Sequence, residues 1–344
     1  MKNSYLFSLI FPSALLSCHK GADLDVAQTR AFPIEYNSGI KEKALNYANM
    51  LPNPSGINKD HPELVALGKK LFYDNRLSGN GTQSCNSCHN LSTFGVDNKT
   101  LSKGADGRLE SRNTPTVLNA SLHFSLFWDG RAASLEEQIE GPILNPHEMG
   151  MSSKVELESR LSRDPEYIAL FRRAFPAATE PLNFDNLSKA LGAFERTLLT
   201  PSRFDKFLLG DESALSEQEK RGLSLFVDLS CIKCHSGNTL GGNIFQKFGL
   251  VRDYWEYTQG KNRDEGLFQL TKDPADKYVF KVPSLRNVAK TAPYFHDGSV
   301  ETLEHAIAIM AKAQLGMELS SLEVNDIKAF LEALTGEVPA SALQ

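Results

Sequence analysis

Two copies of the pattern C-x-x-C-H, Cys85-Cys88-His89 and Cys231-Cys234-His235, constrain this chain more than any other feature. The sequence holds only five cysteines and four of them sit in these units, so none is left for a conventional structural disulfide. A thioredoxin-type dithiol would need its C-x-x-C at a helix start beside alternating strands and helices, a pattern absent here. A zinc site could draw on both pairs, but it would leave the adjacent histidines unexplained and would need the pairs to converge in space. Covalent attachment of c-type haem uses every residue: the two thiols bond the vinyl groups and the following histidine is placed beneath the iron. Two haems, ligated by His89 and His235, are the reading that accounts for both units in full.

The duplication extends beyond the cysteines. "GKKLFYD" (68–74) and "GLSLFVD" (222–228) share G-x-x-L-F-x-D ahead of each motif. Downstream, "TPTVLN" at 114 matches "VPSLRN" at 282, "FWDG" at 127 matches "FHDG" at 295, and "SLEEQI" at 134 matches "TLEHAI" at 302, each pair 168 residues apart. The cysteines, 85 against 231, are only 146 apart, so the second half carries 22 extra residues, within the stretch containing "GGNIFQKFGLVRDYWEYTQG". A constant offset over three blocks indicates two homologous haem domains rather than a repeat array.

The length of 344 residues suits two domains of about 150 residues each. A net charge of −5 without long basic runs gives no electrostatic footprint for nucleic acid. At the N-terminus, Lys2 followed by the short apolar run Tyr5–Leu16 reads as a secretory signal, residues 1–17. Leu15, Leu16, Ser17 and Cys18 are similar to a lipoprotein lipobox, which would make Cys18 a lipidated anchor; the alternative is a plain signal peptide that contains a cysteine. Residues 18–55 read as a tether or extended arm, 56–205 as the first haem domain and 206–344 as the second, with the boundary near "TPSRFDKFLLGDESALS" (200–216).

The fold class expected is mainly α, two cytochrome c-like haem domains with few or no strands. Ser216 with Glu219 and Ser134 with Glu137 form capping boxes, and 186–199 and 324–336 repeat apolar residues at helical spacing. The halves differ where chemistry should lie. The helix beginning at "TLEHAIAIM" runs to Met310, whereas 168 residues earlier stands Pro142, where the first-half helix is expected to break. A Met opposite His makes a six-coordinate electron-transfer haem of raised potential, and a broken helix leaves the sixth position open. The competing reading of Met310 is core packing.

From about residue 60 to 336, "LGKKLFYDNRLSGNGTQSCNSCHN", "NTPTVLNAS", "FWDGRAASLEEQIEGPI", "NPHEMGM", "AFERTLLTPSRFD", "LFVDLSCIKCHSG", "FKVPSLRNVAKTAPYFHDGSVETL" and "AIAIMAKAQLG" together resemble the bacterial dihaem cytochrome c peroxidases. The resemblance implies reduction of hydrogen peroxide to water in the periplasm, at the haem on Cys85 and Cys88. The haem on Cys231 and Cys234, with Met310, would then receive electrons from a small donor, a cytochrome c or a cupredoxin. It also implies a homodimer. Glu148 in "NPHEM" corresponds to the distal acid and Gln138 in "LEEQ" to its partner, groups suited to proton transfer over an open iron. A single Glu is otherwise a solvated loop carboxylate. Trp128 of "FWDG" matches the aromatic residue between the haems, a role compatible with core packing. Asn113, Thr291 and Pro293 match the positions that hold calcium, with waters completing the shell.

One departure stands out. The loop histidine that caps the peroxidatic iron in many relatives falls on Ala105, and no other histidine lies between His89 and His123. An open first haem is therefore expected. His123 is the nearest substitute ligand in sequence, against a surface or packing role. The fold also supports dihaem maturases that oxidise a protein substrate, but those carry tyrosine where Met310 stands. A pure electron carrier with both irons capped is the remaining alternative.

Overall fold

A computed structural model of the chain describes residues 39–53, 59–258, 260 and 263–344. The signal segment 1–17 and Cys18 lie outside the described residues. Among the described residues helices dominate, and the strand content is one antiparallel pair, β1 (Phe245–Lys247) and β2 (Val279–Lys281), in the register Phe245 with Lys281 and Lys247 with Val279. β1 falls inside the 22-residue expansion of the second half, so the extra chain is used to build a small sheet beside the second motif.

Each half is organised by one close helix crossing. In the first, Pro62–Phe72 packs on Phe184–Glu195; in the second, Glu217–Asp228 packs on Ser321–Glu332. The shared glycine of G-x-x-L-F-x-D sits at both crossings. A Cβ on Gly68 would lie 1.8 Å from the Ala190 carbonyl oxygen, and one on Gly222 would lie 1.9 Å from that of Asp326. The leucine and phenylalanine that follow, Leu71 and Phe72 or Leu225 and Phe226, are buried in the respective cores. The repeat therefore conserves a backbone contact first and its side-chain packing second. Gly222→Ala gains helix propensity yet forces two helices apart. We expect a net loss of about 1–3 kcal/mol, the usual range for overpacking, read as a lower denaturant midpoint of the haem-loaded protein.

The two cores do not follow the sequence halves at the chain ends. Ile40, Ala44 and Ala48 of the N-terminal arm are buried in the second-half core, and Ala48 bridges Gly237. At the other end Ala342 joins the first-half core, with the Tyr73 hydroxyl donating to its carbonyl at 2.9 Å. The stretch 200–216 is also less polar than its composition suggests. It holds a helix, Arg203–Leu208, whose Phe204 and Phe207 are fully buried. Asp205 of that helix receives a bidentate bond from buried Arg286 at 2.6 and 2.9 Å and accepts the Leu51 N–H at 2.8 Å, so one carboxylate joins arm, connector and second half.

Several local expectations need correction. The helices expected over 186–199 and 324–336 are Phe184–Glu195 and Ser321–Glu332, the latter started by a capping box of Ser320 and Glu323. Ser216 and Glu219 form the reciprocal box, whereas Glu137 reaches back to the Ala133 N–H at 2.8 Å rather than to Ser134. Pro142 does not break its helix, which spans Leu135–Leu144. Proline in the last turn removes one N–H, a cost tolerable so close to the natural stop, and the chain turns away at Asn145. Among the described residues no helix is long and apolar enough to cross a membrane.

Candidate functional site

At the first motif, Cys85–Cys88 is a single helical turn closed by reciprocal bonds between Ser84 and Ser87. At the second, Cys231–Lys233 is a 3-10 turn that Ser230 enters with a positive φ of 67°. Both turns end alike, the histidine N–H bonding the first cysteine's carbonyl at 2.9 Å for His89 and 3.0 Å for His235. The rings are also oriented alike. His89 Nδ1 lies 3.4 Å from the Gly95 carbonyl and His235 Nδ1 lies 3.3 Å from that of Leu240. A backbone acceptor at Nδ1 fixes the tautomer and leaves the Nε2 lone pair for a metal. Burial holds both imidazoles neutral at ordinary pH, with His235 lowered to about 4.

The thiols behave differently from a redox pair. Burial raises Cys85 well above the usual thiol range and pushes Cys88 and Cys231 up to about 11, the reverse of the lowered values that activate dithiols. No group of three or more His, Cys, Asp or Glu side chains among the described residues is placed to hold a metal ion, so the pairs do not converge on a zinc site. The residues do fit haem. Cys231, Cys234, His235 and Met310 line one cavity of about 300 Å³ whose walls include Phe226, Ile307 and Leu331. Met310 closes the Leu303–Met310 helix, which widens into a π-turn over Ala311–Leu315 capped by Gly316.

Trp128 and the trio Asn113, Thr291 and Pro293 line the same cavity. The indole N–H of Trp128 donates to the Asn113 carbonyl at 2.9 Å, and its own carbonyl accepts from the Lys281 N–H at 2.8 Å, so both ends of the residue are tied. Asn113 spends its amide N–H groups on the Lys99 and Thr100 carbonyls, at 2.8 and 3.2 Å, which frees Oδ1 as a hard oxygen donor.

Gln138 and Glu148 belong to one helix-turn unit: Gln138 lies on Leu135–Leu144 and Glu148 in the turn after it, where Glu148 N–H bonds the Asn145 carbonyl at 3.0 Å. The Asn145 amide holds Glu148 Oε1 at 2.9 Å. Burial pushes the Glu148 carboxyl above its ordinary range, against that hydrogen bond and the charge of Arg131. Ala105 lies on this turn. Its N–H donates to the Glu148 carbonyl at 2.6 Å and its carbonyl accepts from the Asn80 amide at 2.8 Å. A Cβ on neighbouring Gly104 would fall 1.6 Å from the His147 carbonyl, so the loop is pressed against the turn that carries Glu148.

Sequence reasoning missed two groups here. Glu110 has a buried Oε1 without a hydrogen-bond partner, and its carboxyl is pushed up to about 7 by burial and then by the Glu148 charge. Nothing in its local sequence, "RLESRN", marks it. Lys281 is buried, and its position opposite Asn113 in the repeat was available as a signal. His123, expected at a surface or in packing, lines the cavity of the second motif.

A family model described as di-haem cytochrome c peroxidase matches residues 62–213. The cytochrome c551 peroxidase of Pseudomonas aeruginosa is 48% identical over 274 residues, 79% of this chain and 79% of that protein. The cytochrome c551 peroxidase of Nitrosomonas europaea is 43% identical over 284 residues, covering 82% and 83%. Among solved structures, a MauG-like protein associated with microbial copper homeostasis superposes with a TM-score of 0.76 at 33% identity, over 86% of this chain and 96% of that one.

Proposed function

The chain belongs to the di-haem cytochrome c peroxidase family, and from that premise we propose that peroxide is reduced at the haem on Cys85 and Cys88 while the haem on Cys231 and Cys234 receives the electrons. The enzyme carries two c-type haems and reduces hydrogen peroxide to water with electrons from a small cytochrome. Each turnover takes two electrons and two protons and releases two waters.

The asymmetry between the halves supports this division. Met310 stands on the wall of the second cavity, where a thioether can complete an electron-transfer site. Its counterpart, Pro142, leads instead into the turn that carries a buried carboxyl. When bound, the haem at His89 supplies the iron that binds peroxide and accepts the electrons passed to it. Glu148, with Oε1 held by Asn145, has Oε2 free to take the proton from the nearer peroxide oxygen and return it to the farther one, so that water leaves rather than hydroxide. Gln138 would orient the substrate from the adjoining helix, and Trp128, fixed at both ends, would carry electrons between the haems. Asn113 Oδ1 with the Thr291 and Pro293 carbonyls would hold calcium, waters completing its shell. Periplasmic residence with Cys18 as a lipid anchor accords with the signal-like and lipobox-like sequence of residues 1–18. Met310, in place of tyrosine, favours the peroxidase over a protein-oxidising maturase.

Ala105 bears on activation. The loop that would swing a capping histidine onto the iron has none, and its backbone is clipped to Asn80 and Glu148. The first haem would then have no capping histidine from this loop in the fully oxidised enzyme. Electron paramagnetic resonance should show one high-spin and one low-spin ferric haem, and a steady-state peroxide assay with reduced cytochrome c should start without a lag. Two low-spin signals and an activation lag would show that a gate is retained.

A further inference from the structure

The internal repeat maps the candidate calcium site onto a second place. The 168-residue offset carries Asn113 to Lys281, and in reverse it carries Thr291 to His123. The two substituted residues meet, with Lys281 Nζ lying 3.4 Å from His123 Nδ1. Where one site offers oxygen to a cation, the other supplies a cation of its own.

That cation lacks a counter-charge. Lys281 is 8% exposed and makes no ion pair with any carboxylate among the described residues. His123 Nε2 is likewise buried without a hydrogen-bond partner, and burial pulls the Lys281 ammonium down to about 8. A buried ammonium beside an unsatisfied imidazole is costly unless an anion arrives. Both side chains line the cavity that contains Cys231, Cys234 and His235. Lys247, another cation on its wall, is more exposed and can keep its hydration. The group anchored in that cavity by two thioethers brings its own anions, the two propionate carboxylates of haem.

We propose that Lys281, supported by His123, is the binding site for a propionate of the haem carried by Cys231 and Cys234. The repeat decides which haem. Lys281 follows the second motif and stands two residues before Pro283, which lines the cavity of Cys231, Cys234 and His235, as Asn113 follows the first motif and stands two residues before Pro115. Each position therefore belongs to its own half's proximal histidine. A fixed ammonium at the propionate offsets its negative charge and so favours ferrous over ferric iron.

The test is a redox titration of the holoenzyme, resolving both haems, for the wild type, Lys281→Met and Lys281→Arg. In Lys281→Met the reduction equilibrium of the second haem should weaken by tenfold or more, about 59 mV per tenfold for one electron. The first haem should not move, and Lys281→Arg should restore most of the loss. An unmoved second haem in the Met variant, or a shift confined to the first, overturns the assignment. If Lys281→Met fails to load haem, resonance Raman spectra of the half-reduced wild type and Lys281→Arg take over. A changed propionate bending mode of the ferrous haem supports the site and an identical one overturns it. The inference rests on the di-haem reading, which a pyridine haemochrome count tests separately: fewer than two haems per chain sinks that reading, whereas two haems with unmoved potentials sink only the role of Lys281.

Discussion

Glu148→Gln leaves both haems attached and lowers peroxide turnover by roughly two to four orders of magnitude, the usual worth of a positioned acid-base group. The amide keeps the shape of the carboxyl and its bond to Asn145 but cannot pass a proton from one peroxide oxygen to the other. A pH profile separates this from structural damage. Glu148 must be ionised to take the first proton, and burial raises its carboxyl, so wild-type activity should climb with pH along a limb lying above the ordinary carboxylate range. In the glutamine variant that limb should vanish while the residual rate stays flat. Glu110 complicates only the midpoint, because its carboxyl, pushed up to about 7, sits in the field of the same charge. Near-normal turnover in Glu148→Gln would return Glu148 to the role of a loop carboxylate.

Met310→Ala abolishes the methionine-to-iron absorption band and lowers the second haem's potential. Thioether ligation favours ferrous iron, and axial ligands together span about 0.8 V, so a drop on the order of 0.1 V or more is expected. Electron delivery then slows, while peroxide binding at the first haem is unaffected. The readout is the potential and the rate of reduction by a small cytochrome. Met310 lies on the cavity wall and packs against the second-half core, so some loss of stability accompanies the change. An unchanged potential would mean that Met310 only packs. The effect differs from that of Lys281→Met, which leaves the methionine band in place.

Thioether attachment is a matter of residues within five consecutive positions, so C-x-x-C-H stated the cofactor chemistry before any fold was known. The 168-residue offset paired Met310 with Pro142, and G-x-x-L-F-x-D recurs 154 residues apart at 68 and 222, because duplicated domains keep the contacts that position each haem. Why the glycine recurs appeared only when Gly68 and Gly222 were found against the carbonyls of Ala190 and Asp326. Pro142 misled in a local way: proline penalises a helix interior, but the last turn before Asn145 absorbs it.

The sequence by itself determined the covalent chemistry, the two-fold repeat and the mainly helical build, since each is written in short spacings and periodicities. Tertiary structure alone decided what is brought together from far apart. It put the N-terminal arm on the second core and the C-terminal tail on the first. It joined Asp205 to Arg286, pressed the Ala105 loop onto Glu148 and buried Lys281 beside His123. Burial and charge proximity depend on which surfaces exclude water together, and no window of sequence contains both partners of such contacts.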